Sequence, residues 1–126
     1  MAVTLTTAAR NAAANAIVDL IDVGSTDANG DLVIMTSGDA EVATLAMTNP
    51  AFGAAATGVA TAAAISDDTN ATGGTAALFK FQDRDNTEVF RGSVGTSGED
   101  LNLSSVVIGA GDTVSISSFT ATMPAS

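Results

Sequence analysis

Three of the four cationic side chains in the sequence lie within one segment, residues 75–95, and they are the first candidates for chemistry. They are Lys80, Arg84 and Arg91. Such groups can pair with carboxylates or phosphates of a partner. The remainder of the chain is small, hydroxylated or acidic, and the formal net charge is −10. We therefore take Lys80, Arg84 and Arg91 as the candidate partner contacts.

Catalytic side chains are scarce. Histidine and cysteine are absent, so the commonest general base and a common nucleophile are missing. Hydroxyl groups are abundant, but a Ser–Lys arrangement would have to use Lys80, the only lysine. The sequence therefore predicts a protein that is not an enzyme, with no catalytic and no cofactor-binding residues. Without cysteine, disulfides and thiolate metal sites are also excluded.

Clusters of Asp and Asn offer the oxygen ligands that calcium prefers. They occur at residues 27–31, at 67–70 and at the turn 83–88. The first resembles part of an EF-hand loop, but its glycine comes too early and the closing glutamate is missing. Because Asp and Asn also form turns through side-chain-to-backbone hydrogen bonds, we favour turns and predict no metal site.

A β-hairpin is predicted to position the three cations. Residues 75–82 and 89–95 are rich in aromatic and β-branched residues and flank a cluster of turn formers. If Asp83 pairs with Glu88, the opposed residues are Phe81 and Phe90, Phe79 and Gly92, and Lys80 and Arg91. One face is then aromatic, with a ring over bare glycine backbone. On the other face two like charges repel, so that face should be solvated or should meet an acidic partner.

One helix is predicted, over residues 7–21, where alanine dominates. Its apolar stripe consists of Ala13, Ile17, Leu20 and Ile21. Thr6 or Thr7 can cap its start, and Gly24 is a suitable stop. The smooth alanine surface could bind a partner, although packing on the chain's own sheet is the favoured interpretation.

The remaining chain predicts short strands separated by turns. The strands are residues 32–35, 41–47, 101–103, 106–108 and 113–123. Residues 51–65 could be helix or strand, and their glycines and threonines favour strand. A β-bulge at residues 117–118 would bring all the apolar residues of the last strand, Val114, Ile116, Phe119, Ala121 and Met123, to one face. Regularly spaced turns predict a mainly β fold, an antiparallel β-sandwich or jelly-roll-like barrel with one N-terminal α-helix.

The composition limits the class of protein. A chain of 126 residues suits a single domain, residues 1–126, with the helix at 7–21 and a β region at 31–124. Alanine is the largest contributor to the hydrophobic share of 46%, and aromatics are only 4%, so the core is thin and association would add stability. The net charge argues against nucleic acid and anionic membranes. No stretch suits a signal peptide or a bilayer span, so we expect a soluble protein.

Several segments carry a family resemblance: NPAFGAAATGVAT at 49–61, TGGTAALFKFQDRDNTEVFRGSVGTSGEDLNL at 72–103, VSISSFTATMP at 114–124, and the helix at 10–24. Together they resemble a family of small virion proteins of tailed bacteriophages. The resemblance implies a structural role, most simply a capsid decoration (cement) protein on the virion exterior, synthesised in the host cytoplasm.

Its implied partners are the major capsid protein and copies of itself, as a homo-oligomer such as a trimer. An alternative is a tail or fibre component that recognises a host-surface glycan or protein.

Overall fold

The computed structural model describes residues 3–124, and most of its regular structure is β-sheet. Helix α1 (Thr7–Asp19) continues into a 3₁₀ turn (Leu20–Asp22). The strands are β1 (Asp31–Met35), β2 (Glu41–Ala46), β3 (Val59–Thr61), β4 (Gly74–Thr75), β5 (Leu78–Gln82), β6 (Glu88–Gly95), β7 (Leu101–Asn102), β8 (Val107–Ile108) and β9 (Thr120–Thr122). The predicted extent of 1–126 also takes in Met1, Ala2, Ala125 and Ser126, which lie outside the described residues.

Five strands form one sheet in the order β2-β1-β5-β6-β7, while β3 pairs with β9 and β4 with β8. The fold is mainly β and sandwich-like with an N-terminal helix, as predicted. One pairing differs from the antiparallel expectation, because β6 and β7 run parallel over two residues. Here the Asp100 carboxylate accepts a hydrogen bond from the Ser93 backbone N–H at 3.0 Å, which holds the returning chain beside β6.

The predicted hairpin is confirmed in β5 and β6, with one shift at its tip. Phe81 lies opposite Phe90, Phe79 opposite Gly92 and Lys80 opposite Arg91. Glu88, however, pairs with Gln82 rather than with Asp83, after a register shift. The Asp83 carboxylate instead accepts the backbone N–H groups of residues 85 and 87, each at 2.9 Å. Asp83 therefore belongs to the turn and not to the ladder.

All five phenylalanines meet in one cluster at the centre of the core. Its members are Phe52, Phe79, Phe81, Phe90 and Phe119. The Phe81 ring contacts each of the others, with centroid distances of 4.9 Å to Phe90 and to Phe119. Most of these pairs are edge-on or tilted, the geometries that aromatic rings favour. The cluster joins segments that are far apart along the chain.

The helix is confirmed, but its predicted buried stripe is right only for Ile21, with Ala13 partly buried. Thr6 caps the start by accepting the Ala9 N–H at 3.1 Å. The buried residues are Ala14, Val18 and Ile21, whereas Ile17 and Leu20 are 37% and 51% exposed. Both stripes have helical spacing, so the apolar pattern alone could not choose between them.

Two asparagines fix the rotation of the helix. The Asn11 side-chain oxygen accepts the Gly58 N–H, and the Asn15 oxygen accepts the Ala55 N–H, each at 2.8 Å. Turning the helix toward Ile17 and Leu20 would break both bonds and leave partly buried backbone donors unpaired.

The last strand is shorter than predicted. Only Thr120–Thr122 pair in a ladder, with β3, so residues 117–118 have no partner strand against which to form a bulge. The predicted inward side chains are still right: Val114, Ile116 and Phe119 are buried, and residues 121 and 123 pack against the core. Residues 51–65 likewise contain only the three-residue β3.

Gly30 occupies the point where the helix end, β1 and the hairpin tip converge. A Cβ there would lie 2.5 Å from the Ile21 Cγ2 and 2.6 Å from the Gln82 carbonyl oxygen. At Gly38 the nearest atom would be 3.9 Å away. We expect Gly30→Ala to lower the free energy of unfolding by about 1–3 kcal/mol, because the backbone must move. Gly38→Ala, the control, should change it by less than about 0.5 kcal/mol. Urea unfolding measures both, and equal stabilities would contradict this packing.

Candidate interaction surface

Lys80 and Arg91 lie side by side on the outer face of the five-stranded sheet, away from the phenylalanine cluster. The Arg91 guanidinium donates to Asp39 at 3.0 Å and to Glu88 at 2.7 Å. Asp39 lies in the turn between β1 and β2, and Glu88 lies on β6. Because β5 separates β6 from β1 in the sheet, this one side chain ties the turn to a strand that is not its neighbour.

Electrostatics on this face differ from those of a basic patch. The hydrogen bonds that Arg91 donates to Glu88 and Asp39 raise the pKa of Arg91 above its usual range. The bond to Arg91 in turn lowers the pKa of Glu88. The sequence predicted that the face with Lys80 and Arg91 should be solvated or should meet an acidic partner. For Arg91, Asp39 and Glu88 of the same chain are that acidic partner. Since the bridge is exposed to solvent, its main effect is to orient the turn.

The outer face also buries apolar side chains. Val33 and Met35 are only 5% and 2% exposed, although they alternate along β1 with residues that face the core. Their neighbours in register are Lys80 and Leu78 on β5. The methylene stem of a lysine can cover apolar surface while its ammonium group stays in water. Because Lys80 is opposite Val33 in register, we expect its stem to contribute cover of this kind.

Lys80 is the cation that stays available. Within residues 3–124 neither a hydrogen bond nor an ion pair engages its ammonium group, and the side chain is half-buried. Of the three predicted contacts, Lys80 and Arg91 are brought together on the outer face. Arg84 is not.

Arg84 fastens the hairpin tip to the loop that follows the helix. Its side-chain Nε donates to the Asp27 carbonyl at 2.8 Å. Its backbone N–H donates to the Val23 carbonyl at 2.9 Å, and its carbonyl accepts the Asp27 N–H at 2.8 Å. The geometry makes Arg84 a clamp between two loops.

Asp85 completes this clamp. One of its carboxylate oxygens accepts the backbone N–H groups of Ser25 and Thr26, each at 2.9 Å. These two bonds favour the charged form and lower the pKa of Asp85 below its ordinary value. In the turn 83–88, considered as a calcium site, the carboxylates of Asp83 and Asp85 already bind backbone donors.

Other aspartates act in the same way along the chain. Each of the following carboxylates accepts one or more backbone N–H groups: Asp22 from Ala51, Asp68 from Thr44 and Asn70, Asp83 from Asp85 and Thr87, Asp100 from Ser93, and Asp112 from Gly109. Asp68 and Asp100 cap donors at the two edges of the large sheet. Within residues 3–124 no group of three or more acidic side chains is placed to hold a metal ion.

Two surface depressions were not predicted from the sequence. A polar groove of about 640 Å³ runs between residues 100–108 and 112–120 and is lined by several serines. An apolar cleft of about 490 Å³ lies between α1, β6 and the end of the chain, with Ile17, Phe90 and Met123 in its walls. Both arise between segments that only the fold brings together, so no local sequence pattern could reveal them.

No protein-family model, curated protein or solved structure matches this chain. In the described part of the chain, no helix has the length and apolar character needed to cross a bilayer. The function is therefore inferred from the residues and the geometry of the surface.

Asp85→Asn tests the clamp through its pH dependence. The folded-state pKa of Asp85 lies below the ordinary value of 3.8. The stabilisation by the carboxylate is therefore present above that value and is lost as the pH falls through the lowered pKa. We expect the wild type to be more stable than Asp85→Asn at about pH 6, and the difference to shrink as the pH falls below 3.8.

Urea unfolding across this pH range measures the effect. Asp67→Asn is the matched control, because Asp67 is exposed and its substitution removes the same charge. A stability difference for Asp85→Asn that does not depend on pH, or equals that of the control, would contradict the clamp.

Proposed function

We propose that this protein is a structural component of a tailed-bacteriophage virion, a capsid decoration (cement) protein that binds the outer shell and stabilises it. The sequence supports this proposal through the resemblance of residues 49–61, 72–103 and 114–124 to small virion proteins. A cement protein acts by adding buried interface area at many copies per particle. It needs a firm binding face and no reaction chemistry.

The observation that carries the proposal is the use of the arginines as internal ties. Arg10 donates to the Met123 carbonyl at 2.9 Å, Arg84 clamps two loops, and Arg91 ties a turn to β6. Loops fixed in this way lose little further entropy when a partner binds. A pre-organised surface suits a protein whose task is to hold neighbouring subunits.

The proposed contact with the major capsid protein is the outer sheet face around Lys80. Arg91 and Arg84 support this face by fixing the loops at its border, and Lys80 supplies the available charge. The proposed site of action is the virion exterior, after synthesis in the host cytoplasm. Association with the shell and with copies of itself, as a homo-oligomer, would stabilise a chain with a thin alanine-rich core.

A tail or fibre module that recognises a host-surface glycan or protein is the second candidate. The polar groove between residues 100–108 and 112–120 favours it, because hydroxyl and carboxylate groups line a concave surface. Phe119, the aromatic residue of that groove, is only 9% exposed. The groove therefore lacks the exposed aromatic platform typical of sugar-binding sites.

Charge reversal at Lys80 tests the proposed docking face. Purified protein is added to particles that lack it, and the bound fraction is measured over a range of protein and salt concentrations. We expect Lys80→Glu to weaken binding about tenfold, or ~1.4 kcal/mol, because an attraction becomes a repulsion. Lys80→Met, the control, keeps the stem over Val33 and should weaken binding less and reduce its salt dependence.

Both variants should unfold at the temperature of the wild type. Binding by Lys80→Glu as tight as the wild type would remove the sheet face from docking. Binding to host cells in place of particles would favour the second candidate.

A further inference from the structure

Helix α1 has apolar side chains on both sides: Ala14 and Val18 are buried, whereas Ile17 is 37% exposed. Asn11 and Asn15 point toward the protein and bind the backbone of residues 58 and 55. Arg10 also points inward, to the Met123 carbonyl. A surface helix normally turns its apolar stripe to the core and its polar residues to solvent. In α1 the inward side is shared between apolar and polar residues, and further apolar side chains are left on the outside.

The outer face of α1 consists of Ala9, Ala12, Ala13, Ala16, Ile17 and Leu20. All except the partly buried Ala13 are exposed, with Leu20 51% exposed. None of the six is charged, although the chain carries a net charge of −10. This face can approach a second acidic molecule without opposing carboxylates at its centre.

The apolar surface continues beyond the helix. Ile17 also forms a wall of the 490 Å³ cleft, together with Phe90 and Met123. Val23, just after the 3₁₀ turn, is 54% exposed. Contiguous apolar surface of this kind marks a site of protein interaction more often than scattered single residues do.

We propose that the outer face of α1 pairs with the same face of a second copy, with the two helices antiparallel. A two-fold axis through the middle of the helix opposes Ala9 to Leu20, Ala12 to Ile17, and Ala13 to Ala16 of the other copy. Each large side chain then meets an alanine, so the helices can approach to about 8 Å. A parallel pair would oppose Leu20 to Leu20 and Ile17 to Ile17, and would leave a gap between the alanines.

The charge beside this face favours the same orientation. Asp19 is exposed at its border. In the antiparallel pair the two Asp19 residues lie roughly 13 Å apart along the helix axis, at 1.5 Å per residue. That separation exceeds the screening length of about 8 Å at physiological salt. A parallel pair would place them side by side, where like charges repel.

The proposed function includes self-association, and the outer face of α1 is the surface we assign to it. The pairing of this face rests on the proposed function only for the expectation that copies of the chain associate. The outer face of α1 and the sheet face around Lys80 are separate surfaces. Failure of one therefore leaves the other to be judged by its own experiment.

Analytical ultracentrifugation of the purified full chain tests the pairing. We expect a concentration-dependent dimer. Ala13→Glu should weaken dimerisation at least tenfold, because it places a charge at the centre of the contact. Ala8→Glu, at the border of the outer face and one turn before Ala12, makes the same substitution and should weaken dimerisation much less. Glutamate is a good helix former, and circular dichroism checks that both variants keep the wild-type fold.

Mixing two variants tests the orientation. Ala13→Lys mixed with Ala16→Glu should form a heterodimer tighter than either variant alone, because residues 13 and 16 face each other only in the antiparallel pair. Ala13→Lys mixed with Ala13→Glu should show no such gain. A wild type that stays monomeric, an assembly insensitive to Ala13→Glu, or rescue only in the second mixture would each overturn the proposal.

Discussion

The packing of five phenylalanines around Phe81 is the interaction on which the other elements depend. Alanine is the commonest of the remaining apolar residues, and each alanine buries little surface. The Phe81 ring contacts rings from the segment after β2, from β5, from β6 and from the segment before β9. Segments with very short strands, such as those around Phe52 and Phe119, are held by this contact more than by ladders. The aromatic face of the hairpin is therefore the centre of the core, and its other face carries Lys80 and Arg91.

Loops that would otherwise be free are fixed by charged side chains. Carboxylates accept backbone N–H groups where no strand supplies a partner, and the arginines donate to carbonyls or carboxylates of distant segments. This use explains the excess of aspartate without invoking a metal. It also alters the interpretation of the cations. Arg84 and Arg91 hold the architecture, and Lys80 is left as the charge that a partner can use. Surface recognition would then depend on shape and apolar contact as much as on charge.

The sequence predicted the features that rest on local chemistry. The fold class, the helix and the pairing of Phe81, Phe79 and Lys80 across the hairpin all follow from residue periodicity and turn formers, and the structure confirms them. The errors share a different cause. The rotation of α1 depends on Asn11 and Asn15 meeting backbone donors 47 and 40 residues away, and one partner of Arg91 lies in the turn between β1 and β2. Such contacts between distant segments leave no local pattern. The groove and the cleft also lie between distant segments, so the sequence did not predict them. Lys80 was proposed as a contact because cations are scarce in the sequence, and that proposal remains a prediction.

The central claim is that this protein is a rigid structural component of the capsid exterior. The most direct measurement is an electron cryomicroscopy reconstruction of intact particles that contain this chain, combined with its copy number relative to the major capsid protein. A decoration protein should appear as repeated density on the outer shell, at a copy number comparable with that of the shell subunits. A few copies confined to the tail, or density absent from the capsid surface, would contradict the claim.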